Sequence, residues 1–213
     1  MQPLLQGAWS KKNRPTTTGG CLSIRITKRW NGQFTSLENA VQHLALDVIS
    51  DYKYMKEKVY LDSSIPSYYF DERESLANFI EVTKSWWSEM AGFYEVFISN
   101  AVLEELSEGN YPRQEKILEF ASKIELLPEF GDLEPILECY IENYVMPKTL
   151  IGDAVHLAYT SYYGIDYLLT WNCNHLANAN KKKHIRVING RLGLSTPEII
   201  TPLELFKEKK DND

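Results

Sequence analysis

Three carboxylates and one amide stand where the chain changes direction, and their types and spacing suit a hard divalent cation. Asp62 closes the apolar run Lys58-Val59-Tyr60-Leu61. Glu105 lies in Ile98-Ser99-Asn100-Ala101-Val102-Leu103-Glu104-Glu105-Leu106, Asp153 in Gly152-Asp153-Ala154-Val155-His156-Leu157-Ala158, and Asn172 ends Tyr167-Leu168-Leu169-Thr170-Trp171-Asn172. Acids at strand ends and helix starts converge in space while distant in sequence. Oxygen donors so placed suit Mg²⁺ or Mn²⁺, whose common chemistry is activating a water against phosphate.

The elements that must position them follow from the pattern. Apolar, β-prone runs at 58–61, 95–99, 124–127 and 167–170 read as strands, with 185–188 as a fifth. Helical spacing or helix signals mark 75–90, 100–109, 112–121, 133–144 and 149–163, and Pro202 opens a short final helix. Ser63, Ser64 and Pro66 break the first strand. Strands alternating with helices predict an α/β fold with a parallel sheet of four to five strands covered on both faces. In such sheets the site lies off the carboxyl ends of the strands, where all four residues are expected.

Composition narrows the classes. The chain has 213 residues, 44% hydrophobic and 24% charged, which fits one ordinary domain plus an appendage. It has no apolar run long enough to span a bilayer and no clear signal-peptide core at its start, so a cytoplasmic protein is expected. Cys21, Cys139 and Cys173 form no CxxC pair, which argues against a zinc site or a disulfide framework. Residues 1–54 carry a net +4 and the remainder −10, giving −6 in all. The first segment is rich in Thr, Gly and Asn. It reads as a poorly ordered or accessory extension, or as an over-long translation before Met55, and 55–213 as the folded domain.

The four islands, in this order and spacing, resemble the PIN domain, the nuclease domain of VapC-type toxins. The matching strings are Val59-Tyr60-Leu61-Asp62, Ser99 through Glu105-Leu106, Asp153-Ala154-Val155-His156-Leu157-Ala158 and Leu169-Thr170-Trp171-Asn172, covering roughly residues 56–205. The resemblance implies a Rossmann-like, PIN-type three-layer α/β/α sandwich and metal-dependent RNA cleavage. Asp62, Glu105 and Asp153 would be Mg²⁺ or Mn²⁺ ligands and Asn172 an auxiliary member of the catalytic set. The family pattern often ends in an acid where this chain has Asn172, so one charge is missing. The partners implied are an RNA substrate and the antitoxin of a type II pair, with a homodimer left open.

Each residue has a plainer reading. Asp62 could cap the turn that follows it, and Asp153 could simply sit favourably in a first helical turn. Glu104 and Glu105 point about 100° apart on a helix, and the Leu106 and Gly109 spacing favours Glu105 as the inward one. His156 shares a helical face with Asp153 and is expected as a hydrogen-bonded, partly buried ring that could orient a ligand. Ser63 and Thr170 are candidate supporting hydroxyls, and His175 fits either an RNA contact or a helix cap. Lys181, Lys182 and Lys183 form the one dense basic run after residue 54. Such a run is usually a solvated face, and the other reading is an RNA-phosphate contact. Two rival functions stand beside the nuclease: a non-catalytic PIN-like module binding RNA or protein, and a flavodoxin-like small-ligand domain. The missing Gly-rich phosphate loop counts against the second.

Overall fold

The computed structural model describes residues 56–147, 149, 151–172 and 179–206, and the calls made on 1–54, Cys173 and His175 lie outside them. The described residues fall in a compact unit, Lys56–Asp213. Five strands form its sheet: β1 Lys58–Leu61, β2 Glu95–Ile98, β3 Glu125–Leu126, β4 Tyr167–Leu169 and β5 Glu198–Ile200. All neighbours are parallel, in the order β3-β2-β1-β4-β5. With its helices the sheet makes the three-layer α/β/α arrangement expected from the alternation of elements.

The central strand shows why this order holds. Val59, Tyr60 and Leu61 are all fully buried, as a parallel strand covered on both faces requires. The chain leaves β1 toward β2 and β3 on one side, then returns to β4 and β5 on the other. The winding therefore reverses between β1 and β4, whose carboxyl ends are where open sheets of this kind place their sites.

Seven α-helices connect the strands among the described residues: α1 Ser64–Phe70, α2 Ala77–Glu89, α3 Asn100–Glu108, α4 Gln114–Ala121, α5 Leu133–Glu142, α6 Ile151–Tyr163 and α7 Ala179–Leu192. None is long and apolar enough to cross a membrane. Helix α6 is the most enclosed. Ala154 and His156 through Ser161 are buried, and Gly164 follows at φ 64°, the left-handed conformation that ends helices at low cost to glycine. Because α6 leads into β4 antiparallel to it, its first turn and Asp153 lie at the carboxyl edge of the sheet.

Two sequence readings are corrected. The run after Asp62 forms helix α1, with Pro66 in the first turn, where no intrahelical N–H is needed. Its Ser and Pro residues do stop β1, but they start a helix. Residues 185–188 are helical, inside α7, and the fifth strand is Glu198–Ile200. Ile185, Ile188 and Asn189 are buried while Val187 is 46% exposed, which is a helical period.

Candidate active site

Asp62 follows β1 directly, and its backbone N–H continues the ladder to Leu169 O of β4 at 3.2 Å. The side chain is 4% exposed. Its Oδ1 accepts from the Ser64 N–H at 3.0 Å and from the Ser64 hydroxyl, and its Oδ2 accepts from the Thr170 hydroxyl. The turn-capping reading of Asp62 is met by its bonds to Ser64. Burial pushes this carboxyl above its usual pKa, while the charge of His156 and the Ser64 and Thr170 bonds pull it back down.

Glu105 is the inward member of its pair, and Glu104 is exposed. Its Oε2 accepts from His156 Nε2 at 3.1 Å. Burial works to raise its pKa, but the bond and charge of His156, with a hydrogen bond from Ser63, hold it below the usual value. Helix α6 comes very close: a Cβ on Gly152 would lie 2.4 Å from Glu105 Oε1. Glycine at 152 is therefore a steric condition for this placement of Glu105.

His156 is 2% exposed. Burial opposes its charged form, yet the bond to Glu105 and the charges of Glu105, Asp62 and Asp153 raise its pKa. Its Nε2 meets Glu105, and its Nδ1 is hydrogen-bonded to the Tyr60 hydroxyl at 2.8 Å, which is hydrogen-bonded in turn to Ser99 Oγ at 2.7 Å. The plainer reading of His156, a buried and hydrogen-bonded ring, is what the structure shows. Asn172 Nδ2 donates to both oxygens of Asp153, at 3.0 and 3.3 Å, and the Asn172 N–H donates to Thr170 Oγ1 at 2.8 Å.

The four expected residues come from four segments; Asp62, Asn172 and Asp153 are joined by hydrogen bonds through Thr170, and Glu105 belongs to a second group with His156, Tyr60 and Ser99. Lys181, Lys182 and Lys183 lie at the start of α7, where Lys181 Nζ is 3.9 Å from Met146 Sδ. Three supporting groups were not legible as such. Tyr60 reads as a β-prone aromatic, and Ser64 as a strand breaker. Ser99 reads as a helix cap, yet it makes no side-chain cap bond.

All donors in the set are oxygens on three acids and one amide, the chemistry that fits a hard cation such as Mg²⁺ or Mn²⁺. As placed, Glu105 is turned to His156 and Asp153 to Asn172. Among the described residues no three His, Cys, Asp or Glu side chains stand together as a ready-made ligand group.

No family model matches the chain, and no curated protein matches its sequence significantly. Among solved structures it is similar to the crystal structure of Mycobacterium tuberculosis VapC20, a Sarcin-Ricin loop cleaving toxin. The identity is 17% and the TM-score 0.42, covering 56% of this chain and 93% of that one.

Proposed function

We propose that this chain is a metal-dependent endoribonuclease of the PIN type, acting as the toxin of a type II toxin-antitoxin pair. The observation that supports the reading most is the hydrogen-bonded chain Asp62–Thr170–Asn172–Asp153, with the Glu105–His156 pair as a second group whose charges act on His156 together with those of Asp62 and Asp153. Asp62, Glu105 and Asp153 would hold Mg²⁺ or Mn²⁺. When bound, such an ion supplies a water of lowered pKa and offsets charge on the phosphate.

The chain's own groups have distinct tasks. Ser64 and Thr170 fix both oxygens of Asp62, so this acid is oriented before substrate arrives. When protonated, His156 offsets part of the clustered negative charge, and its Nε2 contact holds Glu105 toward the edge. Asn172 contributes an amide beside Asp153 and no charge. The substrate is RNA and the regulating partner an antitoxin protein.

A second reading, a non-catalytic RNA- or protein-binding module, is favoured by one feature. The acids already have partners, and Asn172 stands where an acid would add charge. Incubation of the purified chain with structured and unstructured RNA in Mg²⁺ or Mn²⁺ separates the two. Cleavage that stops with chelator and is abolished in Asp62→Asn supports the nuclease. A parent that is inactive, with cleavage appearing in Asn172→Asp, supports the binding module.

A further inference from the structure

Trp171 stands between two members of the candidate site. Thr170 on one side bonds Asp62, and Asn172 on the other bonds Asp153. The Trp171 backbone N–H donates to Ser64 Oγ at 2.9 Å, and that hydroxyl donates to Asp62. Its indole N–H donates at 2.8 Å to Thr83 Oγ1, which is buried and donates onward to Phe79 O at 2.7 Å. The indole is thereby fixed in orientation with its polar atom satisfied inside the protein, and what remains is apolar ring.

Two more rings complete the surface. Trp171 meets Phe79 edge to face, with centroids 4.9 Å apart, and lies near-parallel to Tyr68 at 6.4 Å; Tyr68 meets Phe79 at 6.1 Å. Phe79 is 42% exposed, and Tyr68 and Trp171 are half-buried. Scattered surface aromatics need no explanation. Three in mutual contact, one of them anchored through Ser64 to a site carboxylate, make an uncharged aromatic cluster, with Phe79 its most exposed ring, beside the place where a phosphodiester would be cut.

We propose that Tyr68, Phe79 and Trp171 form a stacking platform for one unpaired base of an RNA strand next to the scissile phosphate. The proposal takes RNA as the ligand from the nuclease reading. Every base has a π-face, so such a platform selects single-stranded over paired RNA without selecting a base. It also supplies affinity that the acidic cluster cannot, since carboxylates repel phosphate.

The test uses the full chain carrying Asp62→Asn, a short unstructured oligoribonucleotide with a fluorescent label, and Mg²⁺. Fluorescence anisotropy is read with and without Phe79→Ala, and with and without an abasic nucleotide at each position in turn. Phe79→Ala is expected to weaken binding roughly 5- to 150-fold. At one abasic position the two losses should not add, because both remove the same contact. Trp171→Phe, which keeps a ring, is the second variant. Phe93→Ala is the control: this exposed ring precedes β2, at the opposite edge of the sheet, and its removal should change nothing. Equal affinities for Phe79→Ala and its parent, additive losses at every position, or no RNA binding at all would overturn the platform. Cleavage by the unsubstituted chain with additive losses would leave the nuclease standing and remove the platform. Non-additive losses without cleavage would do the reverse.

Discussion

Gly152→Ala separates catalysis from stability. The added methyl would lie 2.4 Å from Glu105 Oε1. Real Cβ contacts essentially never fall below 3.0 Å and become ordinary at 3.4 Å, so the carboxylate must retreat by about 0.6 to 1.0 Å. Misplacing a catalytic group by 1 Å costs on the order of 100-fold in rate. Stability moves differently. Replacing glycine in a helix gains up to about 1 kcal/mol. Loosening the Glu105–His156 pair loses part of the ~1.5–3 kcal/mol typical of a bond to a charged group, discounted because Glu105 is 34% exposed. The two nearly offset, so the thermal midpoint should shift by no more than about 4 °C, while metal-dependent cleavage falls by one to two orders of magnitude. Calorimetry and a cleavage time course on the same preparation read both. In a Glu105→Ala background, Gly152→Ala should raise the midpoint, because only the helix gain remains. An unchanged cleavage rate, or a large midpoint loss accompanying the rate loss, would refute the reasoning.

Other substitutions probe the supports. Asp62→Asn should abolish cleavage while shape is retained, and Asn172→Asp should leave cleavage intact or raise it by adding charge beside Asp153; gel assays with and without chelator decide both. Tyr60→Phe removes the hydroxyl between His156 and Ser99, leaving buried polar groups unpaired at about 1–3 kcal/mol, or a fall of roughly 2–12 °C in melting midpoint. Arg73 grips Asp71 with its guanidinium, and that hydrogen-bonded contact holds the Asp71 carboxyl below its usual pKa. A depressed folded value means the contribution is present above the unfolded carboxylate pKa and fades as pH falls through the folded one. Urea midpoints of Arg73→Gln and the parent should therefore differ at pH 6 and draw together as pH falls below the unfolded carboxylate value.

The sheet and the acids were readable because each rests on a local signal. Val59-Tyr60-Leu61-Asp62 announces a buried strand and its end, and Asp153-Ala154 the start of a helix. The supports rest on long-range contacts that no local pattern encodes. Tyr60 meets His156 across 96 residues, and Thr170 meets Asp62 across 108. The Ile185-Arg186-Val187-Ile188 run was misread because four residues fit a strand and a helix equally. What decides it is burial of Ile185, Ile188 and Asn189 together, where Asn189 accepts from Tyr140 at 2.6 Å and donates to Ser161 at 2.8 Å. Glu105 was separable from Glu104 on spacing, but the steric role of Gly152 appears only when α3 and α6 are seen side by side.

The outer strands of the sheet have a bearing on assembly. β3 is two residues long and β5 three, and each carries a glutamate, Glu125 and Glu198, exposed at the rim. Short, charged borders give another polypeptide too little unpaired backbone to zip onto. Replacing Glu125 with a β-branched residue, which lengthens β3's usable edge, is therefore expected to increase aggregation relative to the parent chain.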